Sequence, residues 1–439
     1  MAIPFRFIHA ADLHIDSPFK GLTTVPAYVR ESLLEATFLA FKRLIDTAIK
    51  QQVQFIVVSG DLFDESDRSL KAQLFLLQQY ERLRKCQINI YIIHGNHDHL
   101  AGQTIPFPYP DNVYVFSSTE VTTKVVTNDD GAILAYVHGI SYPTRHVMDN
   151  LAKEYKHEPE HGYHIGLYHG NVGNVSEHDP YAPCHLSDLL AHQYHYWALG
   201  HIHKRQVLHQ SPYVVYPGNT QGRHRKESGD KGCYLVTVNE QHETTIHFLS
   251  LAPIRWLQIA IDVSSIENEA QFLATIEHHT STLLAEQIEC SILLSIELTG
   301  SGYIHELLQQ TGNTRQMLTH IQSMYEDDSS SEWLYIYELQ LHTQVQYDEA
   351  LLRQEQSFIG DFLTYYEQLI VDPEQMKQLF AEAQQGLITH QGLSRYLRQT
   401  ASTQDKVTLD ETSQQAQLAD AKQKVLEWLL LHQDQGVSI

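Results

Sequence analysis

Five short segments carry side chains able to do chemistry: Asp12-x-His14 in AADLH, Asp61 in GDLFD, Asn96-His97-Asp98 in GNHD, His169 in YHGN and His201-x-His203 in GHIH. Carboxylate, imidazole and an Asn carbonyl together suit Mn, Fe or Zn better than Mg or Ca. The i, i+2 pairs Asp12/His14 and His201/His203 put two donors on one side of an extended segment. Asp61 can offer one oxygen to each of two cations. Two divalent ions about 3.5–4 Å apart would hold a bridging hydroxide and clamp a phosphodiester for in-line attack. Gly60, Gly95 and Gly200 flank these residues, where a Cβ would crowd ions or phosphate. Taken singly, each segment has a plain reading: GNHD as a turn, GHIH as a strand end with satisfied histidines, DxH as chance. The ordered set of five points to chemistry. His9, His94 and His138, beside the donors, are expected to support them or fill the core. His99, His146, His157, His161, His185, His192 and His195 are expected at the surface or in a sheet.

Each segment lies where a strand-like run ends. FRFIHA (5–10), QFIVVSGD (54–61), INIYIIHGNHD (88–98), HIGLYHG (164–170) and HYWALGH (195–201) are such runs. Residues 27–51 show a helical apolar period, and a second helix is expected at 69–85. This is a βαβαβ start, which implies parallel strands covered by helices. Later runs mostly lack helices between them, so a mixed sheet or two-sheet sandwich is the economical arrangement. In parallel α/β sheets, loops at the carboxyl ends of strands converge on one rim. From residue 252 a β-α-β-α-β unit follows, and from about 346 the chain reads helical. RQTASTQDKVTLDETSQQ (398–415) reads as a flexible linker. KVLEWLLLHQ (424–433) carries an apolar cluster, Val425, Leu426, Trp428, Leu429, Leu430 and Leu431, that needs burial.

The 439 residues carry a formal charge of −23 and include 28 His and 4 Cys. On its face this acidity argues against a polyanionic partner. It is unevenly spread: residues 1–250 hold 21 Lys+Arg and 26 Asp+Glu, a balance of −5, and 251–439 hold 9 and 27, a balance of −18. The histidines divide 21 to 7 across the same boundary. Two composition regimes mark a domain boundary. Lys204, Arg205, Arg223, Arg225, Lys226 and Lys231 cluster in sequence beside His201 and His203, where cations can contact backbone phosphates. The four cysteines form no CxxC pair and give no sign of a disulfide framework, so isolated buried thiols are expected. The N-terminus lacks signal-peptide character and no apolar run reaches the length of a membrane span, so the cytoplasm is expected and no membrane.

In order and spacing the motifs resemble the calcineurin-like metallophosphoesterases. More narrowly they resemble the SbcD-type DNA-repair exonucleases and their bacterial YhaO branch, through HAADLHIDSPFKGL (9–22), SGDLFDESDRS (59–69), HGNHD (94–98), ALGHIHKRQ (198–206) and YPGNTQGRH (216–224). The resemblance covers the first 340 residues. It implies an α/β fold: a four-layer α/β/β/α sandwich at 1–250, a small α+β capping domain at 251–345 and a helical C-terminal region at 346–439. It implies two divalent ions, with Mn2+ expected, one held by Asp12, His14, Asp61 and His203, the other by Asp61, Asn96, His169 and His201. His97 would sit over the scissile phosphate and protonate the leaving oxygen, oriented by Asp98. Asp64 is assigned only to the site's periphery. Lys204, Arg205, Arg223, Arg225 and Lys226 are candidates for DNA contact. The implied activity is hydrolysis of DNA phosphodiester bonds as a repair exonuclease, with endonuclease action also open. The implied partner is a coiled-coil SMC-like ATPase of the YhaN or SbcC type, docked on the C-terminal helices, and a homodimer is left open. GDLFDES and GNHD depart from the GDxVDRG and GNHE of protein phosphatases. Phosphodiesterases of cyclic nucleotides share GNHD and GHxH and remain an alternative. A non-catalytic scaffold for the ATPase is the second.

Overall fold

The computed structural model describes residues 2–22, 24–64, 69–100, 107–156, 162–173, 181–286, 290–326, 332–354, 356–389 and 411–432. Strands β1 (Phe5–Ala10), β2 (Phe55–Ser59), β3 (Asn89–Ile93) and β4 (Val113–Val115) run parallel, joined through helices α1 (Ala27–Lys50) and α2 (Leu70–Lys85). A second group comprises β5 (Thr122–Thr127), β6 (Ile133–Gly139), β7 (His164–His169), β8 (Tyr196–Gly200), β9 (Gln206–Gln210) and β10 (Tyr213–Tyr216). Strands β11 (Gly232–Val238) and β12 (Thr244–Ser250) return to the first sheet. The orders are β12-β11-β1-β2-β3-β4 and β5-β6-β7-β8-β10-β9. In the second sheet β6, β7, β8 and β10 are parallel, and β5 and β9 close its edges antiparallel.

Period-2 alternation of apolar residues builds the layers. Phe5, Phe7, Phe55, Val57, Tyr91 and Ile93 meet Val137, Ile165, Leu167, Tyr196, Ala198 and Val215 of the other sheet in one buried cluster. The intervening Ile8, Ala10, Ile56, Val58, Ile90 and Ile92 pack on Phe38, Phe41, Leu44 and Leu76 of α1 and α2. The second sheet's outer face buries Trp197, Leu199 and Val214 under Tyr142, Val147, Ala152 and Leu189. Each large side chain so buried contributes about 1.5–3 kcal/mol, which favours the closed sandwich. Towards the carboxyl ends of the strands the inner face turns polar. His9 Nδ1 pairs with Tyr196 Oη at 2.9 Å, and Ser59 Oγ donates to the Ala198 carbonyl at 2.8 Å.

Strands β13 (Ile254–Asp262), β14 (Ser291–Ser301) and β15 (Leu334–Gln344) form a three-stranded sheet in that order, with α4 (Glu269–Glu286), α5 (Tyr303–Gln309) and α6 (Asn313–Met324) between them. Contacts divide the chain into two compact units. One holds Met1–Ile259, Glu277–Ile296 and Met317–Leu339; the other holds Ala260–Ile276, Glu297–Gln316 and Gln340–Ile439, so the division crosses the small sheet. Within the first unit, Ile254, Trp256, Leu293, Trp333 and Tyr335 pack against Val29, Leu33 and Ala36 of α1.

The second unit contains α7 (Glu349–Gln354), α8 (Phe358–Val371), α9 (Pro373–Thr389) and α10 (Glu411–His432). Leu426 of α10 packs on Ile359 and Leu363, and Leu418 on Leu369 and Met376. Leu429 and Leu430 are partly buried against the first group, whereas Val425 and Trp428 are exposed. Lys422 ties α10 to Glu349 at 2.8 Å. Of the expected linker, residues 398–410 lie outside the described residues, and 411–415 belong to α10 instead. Among the described residues no helix is long and apolar enough to cross a membrane.

Candidate metal centre

The carboxyl ends of β1, β2, β3, β7 and β8 deliver all seven expected donors to one place. The loops after β1 and β2 run together: Asp12 N donates to the Gly60 carbonyl (3.1 Å) and His14 N to that of Asp61 (3.0 Å). Across the sandwich, His201 N donates to both oxygens of Asp12 at 3.0 and 3.1 Å. Asp12, His14, Asp61 and His201 have φ of +52°, +44°, +54° and +98°. Non-glycine residues in this region cost about 1–3 kcal/mol each, and such strain gathers at functional sites. Potential ligand atoms of Asp12, His14 and His203 lie within 4.8 Å of one another, as do those of Asp12, Asp61 and His169. His169 Nε2 is 3.0 Å from Asn96 Oδ1 and 3.5 Å from Asp61 Oδ2. The His201 ring lies 5.3 Å from that of His169 and is faced on its other flank by Tyr181.

The imidazoles are set to present lone pairs. His169 Nδ1 lies 2.9 Å from the Ser59 carbonyl, which can only accept, so the proton sits there and Nε2 is left as a ligand. His203 Nδ1 is 2.5 Å from Glu227 Oε1, and its Nε2 faces His14 Nε2 at 3.1 Å. Burial pushes the His169 ring down to about 4 and holds His14 and His203 below the ordinary histidine value. These rings are therefore neutral near pH 7, as ligation requires. The carboxylates show the complementary bias. Burial, then Asp61, drives Asp12 well upward, and burial pushes Asp61 up to about 7. Two buried carboxylates that resist ionisation, facing neutral imidazoles, form a donor set lacking positive charge. Divalent cations fit it.

Glycine makes the cradle. A Cβ on Gly95 would lie 2.3 Å from Asp61 Oδ1 and 2.6 Å from His169 Nε2, and one on Gly60 would lie 2.2 Å from His169 Nδ1. Neither position admits a larger residue without displacing a donor.

Some expected roles are redistributed. Asp98 does not supply the contact that orients His97. Its carboxylate turns back beneath the GNHD turn, accepting from Gly95 N (2.7 Å) and Leu62 N (2.8 Å) and pairing with His94 Nδ1 (2.8 Å). A carboxylate two bonds from its own turn caps that turn more readily than it reaches the preceding side chain. His97 Nδ1 instead lies 2.5 Å from the Asp64 backbone carbonyl, while His97 N donates to Asp61 Oδ1 at 3.1 Å. Asp64 is central rather than peripheral: its Oδ1 is 3.2 Å from His14 Nδ1 and 2.5 Å from Arg223 Nη1. Burial opposes ionisation of Asp64, yet His14 and Arg223 hold it well below the usual carboxylate range.

The basic residues also part company. Arg223 is buried and turned inward on Asp64 and Ser17 (2.6 Å), which corrects its expected place on a DNA-facing surface. Lys231, also buried, donates to the His203 carbonyl at 2.9 Å. Arg205 lies over the Phe248 ring at 3.8 Å. Lys204, Arg225 and Lys226 are exposed. Glu227 belongs to no motif of the sequence, and its contact with His203 forms only when the loop at 222–227 folds against that ring. Of the other histidines, His9 and His94 are buried beside the site, and His157 and His161 lie outside the described residues.

The family model for calcineurin-like phosphoesterases matches residues 5–205, and the model for the middle domain of metallophosphoesterase YhaO matches 256–344. The chain is 40% identical over 334 residues to the uncharacterized metallophosphoesterase YhaO of Bacillus subtilis (strain 168), covering 76% of this chain and 81% of that protein. Two archaeal proteins named DNA double-strand break repair protein Mre11 are more distant. The match is 30% over 207 residues with that of Sulfurisphaera tokodaii, 45% of this chain and 49% of the relative. With that of Methanocaldococcus jannaschii it is 27% over 286 residues, 60% and 71%.

Proposed function

The chain belongs to the calcineurin-like phosphoesterases, a family of metal-dependent phosphoester hydrolases, and on that premise we propose that it is a two-metal phosphodiesterase that cleaves DNA. The observation that carries the reading is the gathering of His14, His169 and His203 about the buried pair Asp12 and Asp61, with Asn96 and the His201 ring beside His169. One ion would be held by Asp12, His14, Asp61 and His203, the other by Asp61, Asn96, His169 and His201, with Mn2+ the preferred metal. Ions there would supply positive charge to the phosphate oxygens and make water acidic enough to attack near neutral pH.

The chain's own residues do the rest. Glu227 fixes the proton of His203 on Nδ1, and the Ser59 carbonyl does the same for His169. The Asp64 carbonyl accepts a hydrogen bond from His97 Nδ1, which leaves the Nε2 lone pair to take a proton from the attacking water and pass it to the departing oxygen. The His97 side chain is 30% exposed, enough to meet a substrate while standing against the His14 ring at 5.2 Å.

DNA as substrate is supported by the two relatives named for double-strand break repair and by Lys204, Arg225 and Lys226, exposed on the loops that carry His203 and Glu227. The −5 balance of residues 1–250 would be largely offset by two divalent ions, so the acidity of the whole chain weighs little against it. We further propose the division into 1–250, 251–345 and 346–439, a cytoplasmic location, and docking of a coiled-coil ATPase on the C-terminal helices, where Val371, Phe358 and Val425 are exposed. Incubating the purified protein with Mn2+ and either linear duplex DNA or a cyclic nucleotide tests the assignment. Cleavage of DNA alone is expected; cleavage of the cyclic nucleotide alone would replace it, and no hydrolysis of either would favour the scaffold.

A further inference from the structure

A cavity of about 490 Å³ opens on the far side of the loop that carries Glu227. Within that loop, Arg223 and Glu227 turn to the metal centre, through Asp64 and His203. Between them, His224, Arg225 and Lys226 line the cavity. The opposite wall comes from the small sheet. Tyr335 and Tyr337 are two residues apart on β15 and so share a face, and Trp256 of β13 meets Tyr337 edge to face at 5.1 Å. Trp256 is an immobile floor: it is 2% exposed, its Nε1 donates to the Gly222 carbonyl at 3.1 Å, and Phe19 stacks behind it at 6.2 Å. Tyr337 is half-buried and lines the cavity. Lys20 completes the rim, and its N–H donates to the Arg223 carbonyl at 2.9 Å, joining both cationic loops. Arg225 pairs with Glu338 at 3.3 Å, both partners in contact with water, so the pair is weak and exchangeable.

An aromatic floor under a rim of three cations answers the two halves of a nucleotide. The ring accepts the flat face of a base, and the cations accept its phosphate. Cations alone would take any anion; the tyrosine is what asks for a base. A base inside a duplex offers only its edges, because its faces are covered by its stacked neighbours, so the occupant must be freed from the stack. We propose that this cavity holds one unpaired nucleotide of the strand being cut, next to the phosphate at the metal centre, so that the enzyme grips a frayed or single-stranded end. The proposal rests on the DNA-cleaving reading above and extends it to a second contact, since one loop serves both places.

The test uses the full chain in EDTA and a single-stranded oligonucleotide carrying one 2-aminopurine, whose fluorescence falls when it stacks. Wild-type protein should quench it on binding. Tyr337→Leu should weaken binding and quenching roughly tenfold, Tyr337→Phe should retain both, and Arg225→Ala with Lys226→Ala should weaken binding with a shallower salt dependence. The retained binding of Tyr337→Phe separates loss of stacking from loss of fold. No quenching by wild type, or equal binding by wild type and Tyr337→Leu, would overturn the proposal. Equally tight binding of free 2-aminopurine nucleotide would overturn it too, making the cavity a site for free nucleotides. Mn2+-dependent cleavage of duplex DNA by wild type reports separately on the reading beneath it: cleavage without quenching refutes the cavity alone, and quenching without cleavage refutes the nuclease alone.

Discussion

At the carboxyl ends of β7 and β8, His169, His201 and His203 stand among Asp12, Asp61 and Glu227. At the opposite ends of the same strands, His164 and His195 stand among tyrosines and other histidines. There His138 Nε2 pairs with His164 Nδ1 at 2.9 Å and its Nδ1 with Thr123 Oγ1 at 2.8 Å. The rings stack: Tyr136 on His164 at 4.9 Å, Tyr194 on His138 at 4.5 Å, His195 on His164 at 6.1 Å, with His242 edge-on to His195. Both groups are largely withdrawn from water, yet their surroundings differ. One set has carboxylates in reach; the other has aromatic faces and a hydroxyl. A buried imidazole alone is therefore a poor sign of a metal site. The neighbouring carboxylate is the better sign, and the second cluster accounts for part of the histidine excess in the first 250 residues as packing.

The largest expected effect separates chemistry from binding within the first group. His97→Gln should lower hydrolysis by about 10²–10⁴-fold while metal content, measured by elemental analysis, stays at the wild-type level. A variant that still cuts duplex DNA at the wild-type rate would remove His97 from its role. Next comes the carboxylate's share. Glu227→Gln should weaken metal binding by about 10–100-fold in a calorimetric titration, and His201→Ala should lower metal content outright. His195→Gln, at the other end of the strands, should change neither. An equal loss of affinity in His195→Gln would erase the distinction between the two clusters.

The smallest effect is a contrast in sign. His138 and His195 are pushed down to about 3 and about 4, by burial first and then by neighbouring histidines, from an ordinary 6.5. They favour folding fully above pH 6.5, and that contribution is lost as pH falls towards 4. Asp61 is pushed up to about 7 by burial from 3.8, so without metal it gains stability for the fold as pH falls over the same range. In metal-free urea denaturation between pH 4 and 6.5, His138→Gln should flatten the acid loss and Asp61→Asn should steepen it. Slopes that move the other way would contradict these environments.

The parallel start, the sandwich and the place where donors gather were legible because each rests on a local signal. Period-2 apolar runs ended in polar loops, and parallel strands send those loops to one rim. What stayed hidden depends on which loops touch. Glu227 lies in RHRKES, which carries no motif, and becomes a partner of His203 only through a contact 24 residues away. Asp98 had two candidate roles in the sequence, and turn geometry decided between them. Arg223 looked like its exposed neighbours Arg225 and Lys226, but Asp64 draws it inward. The stacking of His138 on Tyr194 needs the cross-strand register, which no single run reveals.

The hydrogen bond from His201 to Asp12 spans 189 residues of chain. Closing a loop of that length costs chain entropy that the folded contacts must offset. Cations that bind this folded site and not the open chain would add to the stability of the sandwich. The abundance of metal would then help set how much of the chain is held in the closed sandwich.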